Sequence, residues 1–218
     1  MRLKIRTDSK CSKVAKEIDL RSYEKSSTDC NTVVIFDLEM TAWEGSVLRQ
    51  WNGYDEDPEI IQIGAVEIAL ENGNFEITRE FEQVIKPKIR PILSKYITEL
   101  TGITQDIVEK RGISFSEAVK TFYEFVPRDS YLCSNGNDWQ YLEFNCDLHA
   151  IKNPFRKCLF MNLRPFLATR LQVDEENEVL HSYRLGTISE MPGNSPHNAL
   201  SDARCIAESL KRLGWSAF

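Results

Sequence analysis

Asp37 and Glu39 close the apolar run Thr32-Val33-Val34-Ile35-Phe36 and stand two residues apart. Side chains at i and i+2 of a strand share a face, so both carboxylates point the same way. Like charges held this close repel and raise each other's pKa unless a cation lies between them. A hard divalent ion with oxygen ligands meets that need, whereas zinc would ask for Cys or His. The plain alternative is a pair of surface acids at a solvated strand end.

A third acid, Asp138, ends Ser134-Asn135-Gly136-Asn137-Asp138, where a β-rich stretch gives way to a helical pattern and an Asp ordinarily serves as a cap. His197 and Asp202 open the last helical segment. At about 100° per residue, a separation of five puts two helical side chains about 140° apart. The two share a site only if the helix begins at or after His197, with Asn198 as its cap and Gly193 and Pro196 shaping a mobile approach. Asp37, Glu39, Asp138 and Asp202 could together hold two Mg²⁺ or Mn²⁺ ions about 3.5–4 Å apart, the arrangement used for in-line displacement at phosphorus. His197, with an ordinary pKa of about 6.5, suits a base that takes the proton of the attacking water. His149 and His181 lack acidic partners at useful spacing and read as structural or solvent-facing.

These residues need elements to position them. The run from Thr32 reads as a strand covered on both faces. Glu59–Leu70 reads as a second strand, Asn72-Gly73 as a turn and Phe75–Ile85 as a third strand, which makes an antiparallel meander. Helical patterns follow over Ser94–Leu100, Thr104–Glu109 and Ser114–Val126, the last with Ser114 and Glu117 as a capping box and Pro127 as its stop. Ser130–Ser134 and Cys158–Asn162 read as strands. Asp138–Ile151, Arg164–Leu171 and the amphipathic Asn198–Leu213 read as helices. The stretch 44–58 reads as a long loop beside Asp37. Strands first grouped and then alternating with helices imply an α/β domain with a mixed sheet flanked by helices.

The chain has 218 residues, with 27 Lys and Arg against 33 Asp and Glu for a net charge of −6. That is the wrong sign for gripping nucleic acid by bulk positive field, unless several acids are metal ligands. Residues 1–31 read as a mildly basic, polar extension. Apolar runs such as Thr32–Phe36 and Ile60–Ile63 fall far short of the roughly 20 residues of a membrane span, and Met1–Arg6 alternates charge, so neither membrane insertion nor export is expected. The six cysteines form no C-x-x-C pair and read as reduced thiols, in keeping with a cytoplasmic location.

Phe36-Asp37-Leu38-Glu39, Asn135-Gly136-Asn137-Asp138 and His197-x4-Asp202 resemble, in order and spacing, the three motifs of the DEDDh branch of the DnaQ-like 3′→5′ exonuclease superfamily. Asp37-Leu38-Glu39-Met40-Thr41-Ala42-Trp43-Glu44, Glu59–Ala65 and Leu93–Thr104 are similar to the Eri-like group and its bacterial KapD-type relatives, although Met40-Thr41-Ala42-Trp43 replaces the usual Ala-Thr-Cys-Trp. The resemblance covers about residues 32–213 and makes 32–218 the exonuclease domain. It implies a ribonuclease-H-like fold with a five-stranded sheet, two divalent metals and stepwise release of 5′-mononucleotides from a 3′ end.

Carried over, Asp37, Glu39 and Asp202 would ligate the catalytic metal. Asp37 would bridge to a second ion held by Asp138, and His197 would be the general base. Met40 and Thr41 would meet the terminal sugar and base, and Asn135 would contact the 3′ end; for Met40 a buried gap-filler is the alternative. Trp43 and Trp51 could stack on a base or pack as core or lid. The expected substrate is single-stranded nucleic acid, RNA ahead of DNA. The alternatives are a DNA proofreading or repair exonuclease and an inactive nucleic-acid-binding regulator. The resemblance leaves a homodimer open.

Overall fold

The computed structural model describes residues 32–70, 75–189 and 197–215. The basic extension at 1–31, the Asn72-Gly73 turn, and Gly193 and Pro196 lie outside the described residues. Five strands, β1 (Thr32–Met40), β2 (Ile60–Ala69), β3 (Glu76–Val84), β4 (Tyr131–Ser134) and β5 (Phe160–Asn162), form one sheet in the order β3-β2-β1-β4-β5. β1 pairs antiparallel with β2, and β2 with β3, while β4 lies parallel to both β1 and β5. The expected meander followed by parallel strands is present.

Eight α-helices are described: α1 (Ser46–Arg49), α2 (Lys95–Thr101), α3 (Gln105–Arg111), α4 (Phe115–Phe125), α5 (Asp138–Leu148), α6 (Arg164–Leu171), α7 (Ser182–Ser189) and α8 (Ala199–Arg212). The expected loop at 44–58 thus carries a helical turn, and Lys157–Leu159 turns as a 3₁₀ segment before the short β5. α7 has no counterpart in the sequence reading. Among the described residues, no helix is long and apolar enough to cross a membrane. Cys133, Cys146, Cys158 and Cys205 are free thiols.

The central strand β1 is buried along nearly its whole length, and its alternation separates two cores. Val34, Phe36 and Leu38 pack with Phe115, Val119, Phe122, Trp139 and Leu142 from α4 and α5. Val33 and Ile35 pack with Leu167, Leu185, Ala203, Ile206 and Leu210 from α6, α7 and α8. Asp37 and Glu39 continue the parity of Val33 and Ile35, so the pleat that buries two aliphatic residues under α8 also directs two carboxylates toward that helix.

The helix comes close because its buried face carries Ala199, Ala203 and Ala207 and because β2 offers Gly64 beneath its first turn. A Cβ on Gly64 would stand 2.0 Å from the Leu200 nitrogen and 2.1 Å from the Ala199 carbonyl carbon, a clash with backbone that no side-chain rotation relieves.

Candidate active site

Three elements bring the four acids together. Asp37 and Glu39 come from the C-terminal half of β1, Asp138 is the first residue of α5, and Asp202 lies in the first turn of α8. Asp37, Glu39 and Asp202 are buried, at 9%, 8% and 3% exposure. The start of α8 is anchored on the sheet: the Gln62 side-chain carbonyl accepts from the Ala199 amide at 2.9 Å, and Asn198 caps the helix by accepting from the Ser201 amide at 3.0 Å.

With the helix starting at Ala199, His197 lies outside it in a left-handed conformation, φ 57°. That turn removes the 140° conflict a continuous helix would impose. One ligand atom each from Glu39, His197 and Asp202 lie within 4.8 Å of one another. A left-handed β-carbon-bearing residue costs on the order of 1–2 kcal/mol, the kind of strain that collects at functional sites.

The electrostatics follow from burial. Asp37 is held well above the usual carboxylate range by desolvation, then by the charges of Asp138, Asp202 and Glu39, with the Ser182 hydroxyl pulling the other way. Glu39 is raised by desolvation and by Asp202 and Asp138. Burial lifts Asp138 to about 6 against the Ser134 hydroxyl, the backbone amides and Arg164, and lifts Asp202 to about 7. Two unit charges 5 Å apart at an effective dielectric of about 20 repel by about 3 kcal/mol. The Asp202 Oδ1 atom is buried and finds no hydrogen-bond donor among the described residues. Four mutually repelling carboxylates, one of them with an oxygen left without a donor, fit hard divalent cations.

Ser182 and Tyr183, missed in the sequence, open α7 directly against this cluster. The Ser182 hydroxyl donates to Asp37 Oδ1 at 3.2 Å and accepts from Asn135 Nδ2 at 3.3 Å. The Tyr183 ring lies against the His197 imidazole, with centroids 4.6 Å apart, and stacks on His181 at 5.7 Å. His181 is therefore a neighbour of the site. His197 is pulled below its ordinary pKa by burial and by His181, which favours the neutral imidazole near neutral pH. His149 is a packing residue, stacked on Phe115 at 4.7 Å with Nε2 3.8 Å from Glu59. Contrary to the spacing argument, that acidic partner exists and comes from the residue just before β2.

The residues expected to meet substrate divide. Asn135 Nδ2 donates to the Leu180 carbonyl at 2.6 Å, and its Oδ1 is buried without a partner among the described residues. Met40 follows a β-bulge and packs half-buried against the α4 and α5 core. Thr41 has every polar atom engaged internally. Its hydroxyl donates to the Asp57 carbonyl at 2.5 Å and accepts from the Glu59 amide at 2.9 Å. Its amide donates to the Glu59 carbonyl, and its carbonyl accepts from Trp51 Nε1, both at 2.8 Å. Trp51 also lies edge-on to Tyr141 at 5.5 Å, packing the loop onto α5.

The exonuclease family RNase_T matches residues 34–210. A PolC-type DNA polymerase III of Thermotoga petrophila is 30% identical over 88% of this chain, which spans 12% of that protein. The rat (Rattus norvegicus) 3′-5′ exoribonuclease 1 is 25% identical over 83% of this chain, which spans 52% of it. The fold of the nuclease domain of 3′hExo, a DEDDh family member solved bound to rAMP, superimposes with a TM-score of 0.70 at 24% identity, covering 85% of this chain and 92% of that one. The mixed five-stranded sheet flanked by helices is the expected ribonuclease-H-like fold. The chain belongs to the RNase_T exonuclease family, with the fold of its DEDDh members.

Proposed function

We propose that this protein removes nucleotides one at a time from the 3′ end of single-stranded nucleic acid, RNA ahead of DNA, releasing nucleoside 5′-monophosphates. The observation that carries the reading is the convergence of buried Asp37, Glu39 and Asp202 and half-buried Asp138 in one cluster, with His197 beside Glu39 and Asp202, in a chain of an exonuclease family. Asp37, Glu39 and Asp202 would hold one divalent cation, Mg²⁺ or Mn²⁺, and Asp37 with Asp138 a second. When bound, such ions supply charge neutralisation and Lewis acidity toward the phosphate. Ser182 fixes the Asp37 carboxylate. His197, neutral through burial, accepts the proton of the attacking water on an imidazole nitrogen.

The preference for RNA rests on the Eri-like motifs and on relatives named as exoribonucleases. The 30% identity to a PolC-type polymerase supports DNA as the second reading. The deciding experiment follows 3′- and 5′-labelled RNA and DNA strands of one sequence with Mg²⁺, Mn²⁺ or EDTA. Stepwise shortening of the 5′-labelled RNA, abolished by EDTA, is expected. Hydrolysis that survives EDTA or begins at the 5′ end would overturn the proposal, and faster DNA shortening would reverse the order of substrates.

A further inference from the structure

Among the described residues, the connection that follows β3 has a charge opposite to that of the chain as a whole. Residues 86–95, Lys-Pro-Lys-Ile-Arg-Pro-Ile-Leu-Ser-Lys, carry four cations and no acid. They join the end of β3 to α2 and are fixed in place to an unusual degree for a surface connection. Glu59, fully buried, receives four amide contacts from this strap: Lys88 at 2.6 Å and Ile89 at 3.0 Å to Oε1, and Ile89 at 2.8 Å and Arg90 at 2.6 Å to Oε2. Gln105 holds the Leu93 amide at 2.9 Å and the Pro91 carbonyl at 3.0 Å, and Ser94 donates to the Ala42 carbonyl at 2.5 Å. The acids nearby are already engaged, Glu59 by these amides and Asp55 and Asp57 by Arg90 at 2.7 and 3.2 Å. Lys86 and Lys88 are exposed and form no ion pair with another described residue. Ile89 and Ile92 stand out beside them, 42% and 71% exposed.

The strap's distance from the acids follows from the register. Glu39, Gln62 and Val84 form one row across three adjacent strands, so Val84 lies two strand spacings, about 10 Å, from Glu39, and the strap, which begins two residues later at Lys86, starts about 12 Å from it. Glu59, which the strap's amides hold, lies 3.8 Å from His149 at the end of α5, whose opposite end carries Asp138 about 16 Å away at 1.5 Å rise per residue. A stacked strand advancing about 3.4 Å per nucleotide covers that span in roughly three to five nucleotides.

Resting on the exonuclease reading, we propose that the 86–95 strap is the track for the substrate strand upstream of the scissile end: Lys86 and Lys88 meet its phosphates about three to five nucleotides from the 3′ terminus, and Ile89 and Ile92 lie against its sugars and bases. The buried Glu59 clamp holds the track in its binding form, so little ordering entropy is lost when a strand arrives. A track of this kind explains how a chain of negative net charge holds a polyanion outside the metal cluster.

The test is Lys86→Ala/Lys88→Ala in the full chain, with equal melting temperature as the control. Fluorescence anisotropy with a 12-nucleotide single strand in Ca²⁺ or EDTA reads the track without requiring hydrolysis. Two lost contacts on a single strand should lower the slope of log Kd against log salt by about 1.4 and weaken binding at 0.1 M salt by about 10- to 30-fold. In hydrolysis the loss should fall on KM, with kcat preserved, and should shrink as the strand is shortened below four nucleotides. Unchanged Kd and salt slope in the double variant, or an equal loss on a dinucleotide, would overturn the track. Absence of hydrolysis in the unmodified protein would instead overturn the exonuclease reading, while the binding comparison would still decide the track.

Discussion

Gly64 pairs with Asp37 across the β1–β2 ladder, and the α8 backbone at Ala199–Leu200 occupies the space a side chain at Gly64 would need. One glycine therefore sets the gap between the strand that carries two acids and the helix that carries a third. In Gly64→Ala the helix must retreat. Overpacking of this kind costs about 1–3 kcal/mol, and a misplacement near 1 Å costs about 10²-fold in rate. The expected outcome is a folded protein with a melting temperature several degrees lower and kcat down about 10²-fold. Unchanged kcat would show that α8 need not sit this close.

The acids should be a liability to the metal-free fold. Asp202 has a folded pKa of about 7, above an unfolded value of about 3.9, so the folded form takes up the proton first as pH falls. Its charge therefore destabilises the fold, by an amount that grows from about pH 4 and is complete above about pH 7. Asp202→Asn should abolish trimming yet raise metal-free stability at pH 8 by about 1–4 kcal/mol, a gain that fades toward pH 5. Taking the difference between variant and parent cancels the opposite contributions of His149 and His181, whose pKa values are lowered. Saturating Mg²⁺ should reverse the order by stabilising the parent alone. Melting curves at pH 5 and 8, with EDTA or Mg²⁺, check this, and a variant less stable than the parent at pH 8 in EDTA would refute it.

Ser182 offers a separate handle, because its hydroxyl orients Asp37 without belonging to the acid cluster. Groups that orient a ligand in this way typically contribute about 10- to 100-fold in metal affinity. Ser182→Ala should weaken Mn²⁺ binding by that factor in calorimetry, with little change in metal-free melting temperature. Identical Mn²⁺ affinity would make Ser182 a packing residue.

Features resting on local chemistry were readable from the chain. The β-branched run at Thr32 became the central strand, Ser114 and Glu117 form the capping box, and Asn198 caps α8 with His197 just outside it. The four acids and His197 were legible as a set because strand parity and helix starts constrain direction. Features depending on contacts distant in sequence were not. α7 was hidden because Ser182-Tyr183-Arg184-Leu185-Gly186-Thr187 mixes a glycine and polar residues with too few apolar positions to show a period. Its contacts to Asp37 and His197 exist only once the sheet has formed. Glu59 reads as an ordinary strand-flanking acid, and only the fold shows it buried under the amides of residues 88–90. Thr41 falls between the two: its position beside the acids was evident, but its internal bonds to Asp57, Glu59 and Trp51 were not.

His197 presents a choice that geometry alone frames sharply, since the atoms that place it near Glu39 and Asp202 would serve either a base or a ligand. Its ring is held by Tyr183 from α7, and burial and His181 keep it neutral, conditions that suit proton acceptance. A general base typically contributes about 10²–10⁴ in rate. His197→Ala should lose activity within that range while binding Mn²⁺ with the parent's stoichiometry and nearly its affinity, because the oxygen ligands remain. The inflection set by the base's lowered pKa should drop out of the pH–rate profile in the variant, leaving the limb set by ionisation of the metal-holding carboxylates. A fall in Mn²⁺ stoichiometry would instead make the imidazole a ligand, and the proton of the attacking water would then need another acceptor.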